Sequence, residues 1–208
     1  MYLFDLDGTL IDSNGIWKDV DTAFLAKRGL PYTKEYYEGV AHTIFPLAAR
    51  FTKEFCHLPE SEEAIMAEWM DMAGDLYGTS VPVKPGVREY LEKLRSAGER
   101  MIVVTSAVPV HCRTALDHLG LTPYFERIIF AQELHREKKD PQLWRLAAEM
   151  MRVKPEDCTL YDDSVEACRG ARAAGMRAVG VFDPFFAGTE PEMRAVCDRY
   201  IRSFDELL

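Results

Sequence analysis

Five short apolar runs, separated for the most part by helix-patterned segments, restrict this chain to a layered α/β architecture. The runs are Tyr2-Leu3-Phe4, Met101 to Thr105, Arg127 to Phe130, Cys158 to Tyr161 and Ala178 to Val181. Strands this short and this apolar belong in a parallel sheet covered on both faces. Helical signals fall between them. Val87, Leu91 and Leu94 repeat between Pro85-Gly86 and Gly98, and a second helix ends at Gly120. Asp140-Pro141 opens a third, which runs through Leu143, Leu146, Ala147 and Met150, and a fourth follows Asp162-Asp163-Ser164 and ends at Gly175. Right-handed crossovers between such strands build an open sheet, and ligands bind beyond its strand carboxyl ends where strand order reverses. The tail from Asp183 onward carries no clear pattern.

Residues 12–82 lack any comparable strand run and read as helices instead. Ile16, Val20 and Phe24 recur at helical spacing up to Gly29; Pro46 precedes Leu47, Phe51 and Phe55; Ser61 caps a segment bearing Ile65, Trp69, Met72 and Leu76. Gly39 breaks the pattern between the first two segments. The chain therefore divides into a core of residues 1–11 and 83–208 and an inserted bundle of three or four helices at 12–82. At 208 residues, one compact unit with an insertion is the expected organisation.

Charge narrows the partners. The balance of 25 basic and 34 acidic residues, net −9, disfavours a long polyanion such as nucleic acid but leaves a small anion open if cations gather locally. The apolar runs fall far short of the roughly 20 residues a membrane helix requires. Asp5 and Asp7 interrupt any signal-peptide pattern at the start, so a cytoplasmic protein is expected. The five scattered cysteines contain no C-x-x-C pair, which points to neither a disulfide framework nor a zinc ribbon.

Four acids stand at strand ends: Asp5 and Asp7 after the first run, Asp162 and Asp163 after the fourth. A lone Asp beside Gly is ordinarily a turn or cap residue. Two such loops side by side are different, because like charges about 4 Å apart repel by about 4 kcal/mol at an effective dielectric of 20. A cation among them relieves that repulsion, and Mg²⁺, a hard ion bound by carboxylates, waters and phosphate oxygens, suits the donors. A calcium loop starting at Asp5 fails, since Leu10 falls where the turn glycine belongs and Ile16 where the closing glutamate belongs.

Taken together these segments resemble the haloacid dehalogenase superfamily, in the branch that carries an α-helical cap and includes phosphatases and β-phosphoglucomutases. Asp5-Leu6-Asp7-Gly8-Thr9-Leu10 is similar to its D-x-D-G-T motif, and Thr105 to the Ser or Thr ending its second strand. Lys138 in Lys138-Lys139-Asp140-Pro141 resembles the lysine of K-P-D-P, and Asp162-Asp163-Ser164 the acidic fourth motif; Ala171, Ala174 and Gly175 fall on A-x-x-A-G. The resemblance implies a Rossmann-like core, a helical cap that closes over the site, and a Mg²⁺-dependent phosphatase acting on a small phosphomonoester through an aspartyl-phosphate.

In that scheme Asp5 is the nucleophile, since a carboxylate needs no activating base at neutral pH. Asp7 protonates the leaving oxygen and then deprotonates water, and its backbone carbonyl joins Asp5, Asp162 and Asp163 around Mg²⁺. Thr105 and the amides of Ser106 and Ala107 hold phosphoryl oxygens, Gly8 joins them in binding the substrate, Lys138 neutralises charge, and His42, with Thr43, reads the substrate from the cap. Two departures stand out: Lys139 replaces the usual proline and puts a second ammonium beside the first, and Ala167 stands where many relatives have a further acid. A phosphomutase would use the same residues. A protein that only binds or stores a phosphoryl group would have no use for Asp7.

Overall fold

The computed structural model describes residues 1–40 and 45–208. They form two compact units, Met1–Asn14 with Val81–Leu208, and Gly15–Ser80.

The first unit is built on a parallel sheet ordered β3-β2-β1-β4-β5-β6. Its strands are β1 (Tyr2–Phe4), β2 (Met101–Thr105), β3 (Arg127–Phe130), β4 (Thr159–Asp162), β5 (Arg177–Val181) and β6 (Arg199–Ile201). Progress along the chain runs outward from β1 through β2 to β3, then resumes with β4 on the other side of β1, so strand order reverses at the β1–β4 boundary. Side chains of β1 alternate between two cores. Leu3 packs with Ile102, Val104, Leu160 and Trp144. Phe4 stacks on Tyr161 with ring centroids 4.9 Å apart, and the hydroxyls of Tyr161 and Tyr90 lie 2.6 Å from each other. Because β1 and β4 are buried on both faces, charge can appear on them only at their ends.

The other unit holds α1 (Ile16–Ala26), α2 (Lys34–Val40), α3 (Phe45–Phe55) and α4 (Glu62–Thr79). Ser61 caps α4, its side chain accepting from the Ala64 N–H at 3.2 Å. Ile65, Trp69, Ala73 and Tyr77 form its buried stripe, and Trp69 meets the edge of Phe24 on α1. Two expectations are corrected. Gly39 lies inside α2 rather than breaking the helical pattern, because a Cβ there would come within 2.0 Å of the Phe51 ring; the glycine lets α2 and α3 approach. Leu47 and Phe55 are exposed, since α3 turns Ala48, Ala49 and Thr52 inward and the Thr52 hydroxyl lies 2.9 Å from that of Tyr36.

The core unit also contains α5 (Val87–Ser96), α6 (Pro109–His118), α7 (Pro141–Met150), α8 (Val165–Ala174) and α9 (Glu190–Val196). Asp140 and Ser164 cap α7 and α8 with their side chains. No helix among the described residues is long and apolar enough to cross a membrane.

In the helical unit Asp21 accepts from the Tyr36 hydroxyl at 3.2 Å, yet burial pushes its carboxyl up to about 6. Below about pH 4 folded and unfolded chains both hold the proton; stability is lost as pH rises through about 6, where the half-buried group ionises. Asp21→Asn is expected to stabilise the protein at pH 7.5, on the order of 1–2 kcal/mol, with the gain disappearing by about pH 4. Urea unfolding at the two pH values checks this, and an equal gain at both would contradict it.

Candidate active site

The β1–β4 pairing brings the acids together. Phe4 is opposite Tyr161, and the Asp5 N–H continues the ladder by donating to the Tyr161 carbonyl at 2.9 Å. Asp5 thus stands level with Asp162, the last residue of β4, and Asp163 follows directly. Asp5, Asp162 and Asp163 are all buried, and each offers a carboxylate oxygen within 4.8 Å of the others'. Asp7 is outside this group of three; its carboxylate accepts from the buried Ser13 hydroxyl.

Lys138 bridges the two strands. Its ammonium donates to Asp162 Oδ2 at 2.9 Å and forms an ion pair with Asp5 Oδ1. Burial by itself would lower the ammonium's pKa, but Asp162 and Asp5 outweigh it and hold it above the usual lysine range. The backbone of Lys138 is fixed as well: its carbonyl accepts from Trp144 Nε1 at 2.7 Å, and a Cβ on Gly170 of α8 would lie 2.3 Å from that oxygen. Lys139 points elsewhere, pairing with Glu137 with its side chain 65% exposed, so of the adjacent lysines it is Lys138 that meets the carboxylates.

One ammonium does not balance three buried carboxylates. Burial, and then the charge on Asp5, push Asp162 up to about 6 despite Lys138 and the Ser164 N–H, which donates to its Oδ1 at 2.9 Å. Burial, followed by the charges of Asp162 and Asp5, raises Asp163 well above the carboxylate range, although the Asn14 side chain donates to its Oδ2 at 2.8 Å. An all-oxygen donor set with surplus negative charge fits a hard divalent cation such as Mg²⁺.

Gly8 closes the site from the side. It has φ of +76°, and a Cβ would sit 2.0 Å from Asp163 Oδ2 and 2.2 Å from Asn14 Nδ2. Both backbone freedom and close approach therefore require glycine here. Thr105 ends β2, buried, and its Oγ1 accepts from the Ala107 N–H at 3.0 Å, so that amide is already engaged; Ser106 is exposed. His42 and Thr43 lie outside the described residues. Sequence reading missed Ser13 and Asn14, which follow the first motif, and Lys84, a lone charge in the apolar stretch Val81 to Val87. That isolated charge was the one available signal.

Residues 1–175 match the family model of the haloacid dehalogenase-like hydrolases. Phosphorylated carbohydrates phosphatase of Thermotoga maritima is 24% identical over 177 residues, spanning 85% of this chain and 82% of the relative. Phosphoglycolate phosphatase 1 of Pseudomonas aeruginosa is 29% identical over 187 residues, spanning 87% of this chain and 68% of the relative. A crystal structure from Thermotoga maritima, provisionally assigned as a β-phosphoglucomutase, superposes with a TM-score of 0.88 at 23% identity, covering 100% of this chain and 95% of that one. The chain belongs to the haloacid dehalogenase-like hydrolases and is an enzyme of that family.

Gly8 and Gly29 both have positive φ, but a Cβ on Gly29 meets nothing within 4 Å. Gly29→Ala should cost about 1–2 kcal/mol of backbone strain. Gly8→Ala should cost about 1–3 kcal/mol more from overpacking against Asp163. Denaturant unfolding of the two variants measures the difference, and equal losses would remove the close-approach argument.

Proposed function

We propose that this enzyme is a Mg²⁺-dependent phosphatase that hydrolyses a small phosphomonoester through a phosphorylated Asp5. The observation that carries the reading is the convergence of Asp5, Asp162 and Asp163 with Lys138 bridging the first two. The named relatives spanning most of the chain are phosphatases of phosphorylated carbohydrates and of phosphoglycolate, which favours hydrolysis over phosphoryl exchange between positions of one substrate.

A carboxylate oxygen of Asp5 attacks phosphorus, the bond from phosphorus to the ester oxygen breaks, and the departing oxygen takes a proton from Asp7. Asp7, now a carboxylate, accepts a proton from water as that water attacks the phosphorus of the acyl phosphate; the bond to Asp5 breaks and inorganic phosphate leaves. Ser13 holds Asp7 in a fixed orientation through its hydroxyl. The Lys138 ammonium stands beside Asp5 before the substrate arrives, so it offsets phosphoryl charge without reorganisation. Thr105, at the end of the neighbouring strand β2, would hydrogen-bond a phosphoryl oxygen in this reading. Asp5, Asp162 and Asp163, with the Asp7 carbonyl, would hold Mg²⁺, which supplies charge neutralisation to the phosphoryl group when bound.

Asp5→Asn is expected to lower Mg²⁺-dependent phosphate release from a generic aryl phosphate by about 10³-fold or more while the circular dichroism spectrum stays unchanged. Activity within about tenfold of the parent would contradict the nucleophile assignment. Asp163→Asn should raise the Mg²⁺ concentration giving half-maximal rate by about tenfold or more, and an unaltered titration would exclude it as a ligand.

A further inference from the structure

Lys84 sits where the chain re-enters the sheet unit, in the apolar stretch Val81-Pro82-Val83, and its side chain is only 9% exposed. An ammonium has three donors, and here each has an acceptor: the Gly8 carbonyl at 2.7 Å, the Phe182 carbonyl at 2.8 Å and Asp183 Oδ2 at 2.8 Å. Asp183 is buried too, and its Oδ1 accepts from the Phe185 N–H at 2.9 Å. The Lys84 backbone is also anchored, its N–H donating to the Leu10 carbonyl at 3.0 Å, beside the bridge between Ile11 and Val83.

The placement of these acceptors gives the pair its meaning. Gly8 follows β1, and Phe182 and Asp183 follow β5; β1 and β5 are the two neighbours of β4, whose end carries Asp162 and Asp163. One ammonium therefore ties together the loops on either side of the strand bearing the metal-ligand candidates. A Cβ on Gly8 would lie 2.0 Å from Asp163 Oδ2, and the Gly8 N–H is held by the Ile11 carbonyl at 2.9 Å while Lys84 holds its carbonyl. Stability alone is a weak reason for such an arrangement, because a buried ion pair is often no better than apolar packing of the same volume.

We propose that Lys84 is a positioning residue of the cation site: by holding the Gly8 carbonyl and Asp183 together, it fixes the separation between the Asp5–Asp7 loop and Asp163. The inference rests on the phosphatase reading only for its kinetic readout, since cation binding is measurable without substrate.

The test compares the parent, Lys84→Met, Lys84→Met with Asp183→Asn, and Lys84→Arg in the full chain. Mn²⁺ binding is followed by electron paramagnetic resonance without substrate, thermal unfolding reports the fold, and kcat and KM are measured on an aryl phosphate. Lys84→Met leaves Asp183 buried without its cation and should lower the melting temperature. Adding Asp183→Asn removes that charge, keeps an acceptor for Phe185, and should restore the melting temperature. Mn²⁺ affinity of the double variant should nonetheless remain about tenfold weaker, with kcat down by a similar factor and KM changed less than about twofold. Lys84→Arg keeps the charge but replaces a three-donor point with a planar fork, and should weaken Mn²⁺ binding to an intermediate degree. A double variant, or Lys84→Arg if the Met variants fail to fold, with parental Mn²⁺ affinity would overturn the proposal. A parent that binds Mn²⁺ but releases no phosphate would instead remove the phosphatase reading and leave this inference standing.

Discussion

Three carboxylates buried within reach of one another cannot all stay ionised without cations nearby, and that constraint organises the sheet unit of this enzyme. Lys138 supplies one positive charge, bridging Asp5 and Asp162, while Asp163 accepts from the neutral Asn14 amide. Burial, and after it the neighbouring carboxylate charges, raises the carboxyls of Asp162 and Asp163. A buried, all-oxygen cluster with surplus negative charge suits a hard divalent cation.

The fold enforces the cluster through pairing rather than through local flexibility. Parallel register sets Asp5 level with Asp162 at the point where strand order reverses, where crossover connections diverge and leave a crevice. Absent side chains complete the fit: Gly8 admits Asp163, and Gly170 admits the Lys138 backbone. The two adjacent lysines illustrate the consequence. Trp144 and Gly170 fix Lys138 so that its ammonium meets the carboxylates, while Lys139 stays with Glu137 at the surface.

Much of this is legible in the amino-acid order, for a physical reason. Strands buried on both faces are largely apolar, so β1, β2, β4 and β5 announce themselves, and the edge strand β3 still shows Ile129 and Phe130; a charge at a strand end stands out. The edge strand β6, Arg-Tyr-Ile, is three residues long with only Ile201 buried, so it offers no apolar run; it and the short α9 are lost in the tail. Gly39 reads as a helix breaker because propensity is local, whereas its cause is the Phe51 ring of another helix. The paired acids stand out at strand ends, and Lys138 and Thr105 are singled out by the family resemblance. Ser13, Asn14 and Lys84 are not, because what defines them is a partner distant in the chain or a backbone carbonyl: Asn14 finds Asp163 across 149 positions, and Lys84 finds Gly8 and Asp183.

The central claim is that this cluster turns one carboxylate into the acceptor of a phosphoryl group. Acid quenching of the enzyme during turnover of an aryl phosphate with Mg²⁺, followed by peptide mass mapping, tests it most directly. The account predicts one phosphoryl group on the peptide containing Asp5, lost on hydroxylamine treatment and absent when a chelator replaces Mg²⁺. A phosphoryl group on a different residue, or full turnover in the presence of the chelator, would contradict it.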